Sequence, residues 1–289
     1  MELGIFAKTF SRNSVDEVLA AINEYGLRRT QFNMSCAGLP SMPEYIDLEF
    51  VRSIGIACKQ FNIVMSAVSG TFNMAHPDEN KRKQGIDRLR VLAQASSSLG
   101  TSVITLCTGS RDCENMWRLH PDNRSKEAWD DMMHTMSAAV EIAEEYKIVL
   151  GVEPELANIV FDAKRAKDLL DEIRSPNVRI VMDAANLYNP EHPGPMNDLL
   201  SESFDLLGEH IVIAHAKDII IDGQTEFVAA GQGIVDYKHY LHLLSEANYS
   251  GPLILHGLSE EQVNESLSYI QSLMPSVENG SYLEPNDIK

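Results

Sequence analysis

The chain has 289 residues, 44% of them hydrophobic, and a formal net charge of −18 from 42 acidic against 24 basic residues. This length suits either one large α/β barrel or two ordinary domains. The acidic balance opposes a large phosphate-backbone footprint, so we do not expect nucleic acid as a partner.

The first ten residues, MELGIFAKTF, lack a basic region followed by an apolar region and a cleavage site. No run of about 18 apolar residues occurs. We therefore expect a soluble, cytoplasmic protein without a membrane partner. The four cysteines, at positions 36, 58, 107 and 113, have neither CxxC nor zinc-finger spacing. Free thiols in a reducing compartment are the simplest interpretation.

Strand-like and helix-like segments alternate along the chain. Short strand candidates lie at 3–10, 28–35, 63–70, 102–109, 148–155, 178–186, 211–218 and 252–258. Helical patterns follow them, one opened by Asn13 or Ser14 and the others near 44–61, 78–99, 125–146, 163–173, 197–208, 236–248 and 260–273. Strands this uniformly apolar are typical of a parallel sheet covered by helices.

Eight such units without a linker predict a single (β/α)8 TIM barrel over residues 1–289, rather than a doubly wound open sheet. Residues 275–289 read as a polar C-terminal tail. Neither a GxGxxG fingerprint nor a P-loop is present.

Four of the β-like runs contain a metal-binding residue type near their ends: Glu153, Asp183, His215 and His256. In a parallel barrel the carboxyl ends of the strands meet at one rim, so these side chains are expected to converge. Each residue alone has a structural interpretation, as a helix cap or a hydrogen-bonded core histidine. Together they predict one divalent metal, with Mn2+ favoured and Mg2+, Zn2+, Co2+ or Fe2+ possible.

A metal at this rim makes proton transfer next to a carbonyl feasible, and a side-chain base completes it. Glu153 is the leading base, because one carboxylate oxygen can bind the metal while the other faces the substrate. Lys217 lies two residues after His215, on the same strand face, and can donate a proton. The alternative for Lys217 is a salt bridge to Glu155 or Asp218.

Other polar residues near the strand ends are candidates for substrate binding. They are His76, Glu155, Asn158, Asn186 and, in the long loop after the fourth strand, Arg111, Trp117 and His120. Asn186 and His76 have helix-capping or helix-start alternatives. A long loop is often functional, and this one is a candidate lid.

The segments VEPE at 152–155 and HAKD at 215–218, with Asp183 between them, resemble the xylose-isomerase-like TIM-barrel superfamily of sugar phosphate isomerases and epimerases. The resemblance extends over nearly the whole chain. It implies one divalent metal, and Glu153, Asp183 and His215 match metal ligands. Glu153 also matches a catalytic base of the ketose 3-epimerase branch.

The chain departs from that branch at its eighth strand, where His256 stands in place of a second glutamate that binds the metal and exchanges a proton. An imidazole can still bind a metal and act as an acid or base near neutral pH. His256 is therefore retained as a ligand and as a catalytic residue. Asn186 is a second departure, since several relatives have a ligand-binding residue such as histidine there.

The leading prediction is a metal-dependent isomerase or epimerase acting on a sugar or sugar phosphate. A dehydratase or lyase acting on a keto-sugar, keto-inositol or related polyol is the alternative, and a non-catalytic sugar-binding barrel is the second. A DNA-repair endonuclease on the same barrel is disfavoured by the net charge of −18. The apolar residues Met42, Tyr282 and Leu283 leave room for a homodimer.

Overall fold

The computed structural model describes residues 1–190, 194–222 and 224–274. Eight parallel strands close a barrel in the order β1, β10, β7, β6, β5, β4, β3, β2. They are β1 (Glu2–Phe6), β2 (Arg29–Phe32), β3 (Val64–Ser69), β4 (Val103–Leu106), β5 (Val149–Val152), β6 (Val178–Asp183), β7 (Ile211–Ala216) and β10 (Pro252–Leu255). The predicted (β/α)8 barrel is confirmed. Whether residues 275–289 belong to the same domain stays a prediction, because they lie outside the described residues.

Eight α-helices follow the barrel strands. They are α1 (Val15–Glu24), α2 (Leu48–Gln60), α3 (Glu79–Leu99), α4 (Lys126–Tyr146), α5 (Ala163–Ile173), α6 (Met196–Leu207), α7 (Tyr237–Glu246) and α8 (Val263–Leu273). Side-chain N-caps set several of the starts: Ser14 accepts a hydrogen bond from the backbone N–H of Glu17, and Asp78 accepts one from Asn80. The predicted helix bounds therefore differ from the observed ones by only a few residues.

The barrel interior is filled by small and branched apolar side chains. Ala67, Val181, Ile213 and Ile254 form a buried cluster separate from the larger core between the strands and the helices. This cluster closes the barrel beneath the carboxyl ends of the strands. The barrel is therefore solid inside, and polar chemistry is confined to its rim.

Strand register brings the predicted site residues together. Asp183 on β6 pairs with His215 on β7, and His215 pairs with Ile254 on β10. Residues at matching positions of neighbouring parallel strands point to the same face of the sheet. The period of two then places Lys217 and His256 on that same inner face, above His215 and Ile254.

A β-hairpin follows β7 at the rim, in a segment for which neither a strand nor a helix was predicted. It consists of β8 (Asp218–Asp222) and β9 (Gln224–Val228), which pair antiparallel. The sequence DIIIDGQTEFV contains the hairpin signal, an Asp-Gly pair between apolar and β-branched residues. The hairpin therefore extends the loop region that lines the barrel mouth.

Other sequence expectations have mixed outcomes. Met42 was expected to be exposed but is buried, because it packs into the main core. Tyr282 and Leu283 lie outside the described residues, so the proposed dimer contact is not tested. The four cysteines are free thiols, as expected. No helix in the described part of the chain is long and apolar enough to cross a membrane.

Candidate metal and active site

Glu153, Asp183 and His215 meet at the carboxyl ends of β5, β6 and β7. Each offers one ligand atom, and these atoms all lie within 4.8 Å of one another. Glu153 follows the last residue of β5, and its backbone N–H donates to Leu106 O on β4. The three side chains are buried, and Asp183 and His215 are almost entirely removed from solvent. These three predicted ligands therefore form one site.

The chemistry of these atoms fits a cation. Asp183 Oδ2 and His215 Nδ1 are both buried and have no hydrogen-bond partner. His215 Nδ1 lies 3.4 Å from Glu153 Oε1 and 3.5 Å from Asp183 Oδ2, without hydrogen-bond geometry. Buried polar atoms that lack a partner are costly. Two carboxylates and one imidazole are donors that divalent metals accept, so these residues could hold a metal ion.

Gln31 fixes the orientation of the His215 ring. His215 Nε2 lies 2.9 Å from Gln31 Oε1, and because an amide oxygen only accepts, Nε2 is the protonated nitrogen of the neutral ring. Gln31 is fixed in turn, since its Nε2 lies within hydrogen-bond distance of Thr105 and Ser69. When the ring is neutral, as a metal ligand must be, this arrangement leaves the lone pair on His215 Nδ1, on the side of the two carboxylates, as in many histidine metal ligands.

Lys217 and Asn186 connect the site through an amide bridge. Lys217 Nζ donates to Asn186 Oδ1 at 2.5 Å, and Asn186 Nδ2 donates to Glu153 Oε1 at 2.7 Å. Lys217 Nζ also lies 3.2 Å from Asp183 Oδ2. Asp218 does not pair with Lys217, since its carboxylate accepts four backbone N–H groups of the hairpin region. The closest acidic partner of Lys217 is therefore Asp183.

Opposite charges shift the pKa values of the buried site residues. Burial alone lowers the pKa of His215, but the carboxylates of Glu153 and Asp183 outweigh it and raise the pKa to about 9. Burial opposes ionisation of Asp183, yet Lys217 and His215 hold its pKa below the ordinary value. Burial likewise opposes the charge on Lys217, and Asp183, Glu153 and Glu155 raise its pKa. The site is therefore a network of paired charges.

His256 lies beside the site but outside the group of three ligand atoms. Its ring meets the ring of His215 edge to face with 5.0 Å between centroids, and Phe6 packs on it at the same distance. Burial lowers the pKa of His256 to about 3, assisted by the charges of His215 and Lys217. The imidazole is therefore neutral near pH 7. Its predicted role as a fourth ligand stays a prediction.

Glu155 lies next to this network and has an altered acidity. Burial raises the pKa of Glu155 to about 7, opposed by Lys217 and assisted by Glu153 and Asp183. Its backbone N–H donates to Val160 O, which fixes the start of the loop after β5. A carboxyl group that titrates near neutral pH beside a candidate site is suited to binding a hydroxyl.

Two predicted substrate-binding residues are occupied by other contacts. Asn158 Oδ1 accepts from Gly109 N at 2.6 Å and its Nδ2 donates to Met116 O at 3.2 Å, so the side chain ties the loop after β4 to the loop after β5. Arg111 donates to Asp131 Oδ2 at 2.6 Å and pairs with Glu127, both on α4. Direct substrate contacts of Asn158 and Arg111 stay predictions, and their observed contacts order the loops.

The remaining three candidates lie in loops on the same side of the barrel. His76 Nδ1 accepts from Asp78 N at 3.0 Å, and its Nε2 lies 3.2 Å from Cys113 O. His120 Nδ1 accepts from Asp122 N at 3.2 Å, which caps a short 3-10 helix. Trp117 is 52% exposed. Both histidines make local structural contacts, which for His76 agrees with its helix-start alternative, and substrate binding by these residues and the proposed lid stay predictions.

Three residues near the site were not predicted from the sequence. Gln31 lies in the second strand candidate, among several other polar residues, so the sequence did not single it out. Tyr237 and Tyr240 on α7 donate their hydroxyls to Lys217 O and Met182 O, both at 2.9 Å. They bind the ends of β7 and β6 to the helix layer. Their i, i+3 spacing resembled an ordinary core stripe in the sequence.

Several of the curated proteins similar to this chain are sugar epimerases. The L-ribulose-5-phosphate 3-epimerase UlaE of Escherichia coli is 24% identical over 189 residues, which are 65% of this chain and 61% of that protein. The chain thus spans about three fifths of the length of this curated relative. The match supports an enzyme, and the substrate named for UlaE is a property of that protein.

Solved structures share the fold. The 3-keto-D-glucoside 4-epimerase YcjR of Escherichia coli is 17% identical with a TM-score of 0.72, covering 94% of this chain and 99% of that one. The IOLI protein, solved with a bound zinc atom, is 17% identical with a TM-score of 0.71, covering 94% and 96%. The model of the family described as xylose isomerase-like TIM barrel matches residues 1–273. This match over most of the chain, together with the closed eight-stranded barrel, shows that the chain belongs to the xylose isomerase-like TIM barrel family.

Proposed function

We propose that this protein is a divalent-metal-dependent isomerase or epimerase that moves a proton at a carbon next to the carbonyl of a sugar or sugar phosphate. The proposal depends on the convergence of Glu153, Asp183 and His215. Two of their buried potential ligand atoms, Asp183 Oδ2 and His215 Nδ1, lack a hydrogen-bond partner. The similarity to sugar epimerases supports it independently. The proposed partner is a small carbohydrate.

Glu153, Asp183 and His215 are the residues that would hold the metal. When bound, a divalent cation supplies Lewis acidity that polarises a carbonyl and makes the neighbouring C–H bond more acidic. The two carboxylates favour Mn2+ or Mg2+, and the imidazole also admits Zn2+, Co2+ or Fe2+. We propose Mn2+ as the natural ion.

Glu153 is the proposed base for proton removal. Its Oε1 accepts from Asn186 Nδ2 and faces His215 Nδ1. Within the described residues no hydrogen bond reaches Glu153 Oε2. One oxygen of this carboxylate is therefore fixed by the protein while the other is available to a substrate C–H.

Lys217 and His256 supply the other proton-transfer functions. Lys217 is buried and ionised beside Asp183, so it can neutralise negative charge on a substrate oxygen or donate a proton to it. His256 is neutral near pH 7, so it is an acceptor at the start of the reaction. Two proton acceptors, Glu153 and His256, and one proton donor, Lys217, suit a reaction that removes a proton from carbon and returns it.

Exchange of substrate hydrogen for deuterium tests the proposal. The metal-loaded protein is incubated in D2O with a panel of ketoses, ketose phosphates and keto-sugars, and the C–H signals are followed by NMR. We expect exchange at one carbon, with a rate reduced about 10² to 10⁴-fold by Lys217→Met. Lys164→Met, which changes an exposed lysine on α5, is the control. Absence of exchange on every substrate would contradict the proposal and favour a non-catalytic sugar-binding barrel.

A lyase is the second candidate, and the ionised Lys217 is the observation that favours it. The same proton removal can be followed by loss of a hydroxyl at the next carbon, and Lys217 is a donor able to protonate that leaving group. The exchange experiment distinguishes the two reactions, because a dehydratase yields a product that lacks one molecule of water and an epimerase does not.

A further inference from the structure

An aromatic ring from the β8–β9 hairpin covers the ammonium group of Lys217. Lys217 Nζ lies 3.9 Å from the centroid of Phe227. Lys217 is nearly buried, whereas Phe227 is 46% exposed. The hairpin, which the sequence analysis did not anticipate, thus places a partly exposed aromatic side chain directly against a proposed proton donor.

The ammonium group of Lys217 has three N–H donors, and each has a neighbour. Asn186 Oδ1 at 2.5 Å and Asp183 Oδ2 at 3.2 Å are two of them, and the face of Phe227 is the third. A cation–π contact contributes less than a charge-assisted hydrogen bond in a buried site. A substrate oxygen that approaches Lys217 will therefore replace Phe227 rather than Asp183 or Asn186.

The hairpin holds the ring on the side facing the barrel. Phe227 is the cross-strand partner of Ile219, which is buried, so both side chains lie on the inner face of the hairpin. The stem of Lys217 is closely packed, since a Cβ at Gly257 would lie 2.8 Å from its Cγ and Cδ atoms. Of the three neighbours of the ammonium, Phe227 is partly exposed, whereas Asp183 and Asn186 are buried.

We propose that Phe227 contacts the substrate: a substrate oxygen takes the place of the ring beside Lys217, and the displaced ring packs against carbon-bound hydrogens of the same molecule. This inference rests on the proposed carbohydrate function. A polyol or keto-sugar is the ligand class that fits, because it presents oxygens and an apolar C–H face together. Ile221, on the same inner face and 48% exposed, extends the apolar wall.

Fluorine NMR tests the contact without relying on turnover. The protein is labelled with 4-fluorophenylalanine at its nine phenylalanines and loaded with Zn2+. The resonances of Phe227 and of Phe6, which packs on His256, are assigned from Phe227→Leu and Phe6→Leu. We expect both resonances to shift when ribitol, xylitol or sorbitol is added at saturating concentration.

A shift of Phe6 without a shift of Phe227 would overturn the inference while leaving sugar binding intact. If neither resonance moves with any polyol, the proposed function and the inference fail together. For a substrate found by deuterium exchange, Phe227→Leu is expected to lower kcat/KM about tenfold, within the range of a cation–π or aromatic contact. Phe50→Leu, on the outer helix α2, is the control. An unchanged kcat/KM in Phe227→Leu would also overturn the inference.

Discussion

The proposed metal ligands are held by side chains that have fixed partners of their own. Gln31 sets the tautomer of His215, and Asn186 links Glu153 to Lys217. Such neighbours keep ligands in position before a metal or substrate arrives, which lowers the cost of binding. Substitution of these neighbours, and of His256, can distinguish loss of the proposed metal ligands from loss of proton transfer.

Removal of the Asn186 amide is expected to disturb both of its charged partners. In Asn186→Ala, Glu153 and Lys217 each lose a buried hydrogen bond, so we expect the free energy of unfolding to decrease by about 2 to 3 kcal/mol. Chemical denaturation of the metal-free protein measures this change. Asn80→Ala, an exposed position on α3, is the matched control. Equal stability of the two variants would contradict the bridge.

His256 is expected to matter for proton transfer more than for metal retention. In His256→Ala the three grouped ligand atoms remain, so we expect wild-type metal content and an exchange rate reduced about 10² to 10⁴-fold. His242→Ala removes an exposed histidine of α7 and is the control. Loss of the metal from His256→Ala would instead make His256 the fourth ligand that the sequence predicted.

The residue types at the strand ends were enough to predict which side chains meet at the site. They were not enough to predict which of these side chains form ion pairs and hydrogen bonds with each other. Glu153, Asp183 and His215 were found because a carboxylate or imidazole ends each apolar run. The sequence alone did not show that Lys217 pairs with Asp183 rather than with Asp218. This pairing depends on Asp218 being used by backbone N–H groups of a hairpin that a local pattern specifies only weakly.

Among the secondary-structure elements, hydrophobic periodicity and helix caps in the sequence predicted the barrel strands and helices. They did not predict the β8–β9 hairpin. The alternation of apolar strands with amphipathic helices specifies a barrel through the burial that each element requires. The hairpin interrupts that alternation between β7 and α7. Its Asp-Gly turn signal lies between the predicted seventh strand and the next helix, a segment for which no element was predicted, so the aromatic ring over Lys217 was not foreseen.

Asp218 is expected to be the main support of the hairpin region. Its carboxylate accepts from Ile219 N, Gly231 N, Gly233 N and Val235 N. Because Asp218→Ala leaves all four N–H groups without this acceptor, and those of Ile219 and Val235 are buried, we expect a loss of more than about 3 kcal/mol in the free energy of unfolding. Denaturation and limited proteolysis measure the change.

Asp236→Ala provides the comparison for this variant. Asp236 is the N-cap of α7, and its loss is expected to cost about 1 kcal/mol, as for an ordinary cap. If Asp218→Ala is no more destabilising than Asp236→Ala, the hairpin region does not depend on the buried carboxylate.

In the whole molecule, the barrel brings residues from distant parts of the sequence into one charged network. A metal ion that binds to this network would compete with protons for the same side chains. In the metal-free protein the carboxylates raise the pKa of His215 to about 9, whereas a metal ligand must be the neutral imidazole. Below pH 9 metal binding therefore displaces a proton. We expect the affinity to rise about tenfold per pH unit between pH 7 and 9.

Calorimetric titration with Zn2+ in buffers of different ionisation enthalpy counts the released protons. About one proton per metal at pH 7, decreasing to none above pH 9, is the expected result. His210, a surface histidine, offers a control, since His210→Ala should leave the count unchanged. Metal binding without proton release at pH 7 would mean that His215 is already neutral in the metal-free protein.

Metal content shows most directly whether Glu153, Asp183 and His215 form one metal site. Elemental analysis of the purified wild type, Asp183→Asn and His215→Ala gives the number of ions per chain. The account predicts one divalent ion in the wild type and a large loss in both variants, while His242→Ala retains the ion. A wild-type protein that binds no divalent metal when supplied with Mn2+ or Zn2+, or variants that retain it fully, would contradict the account.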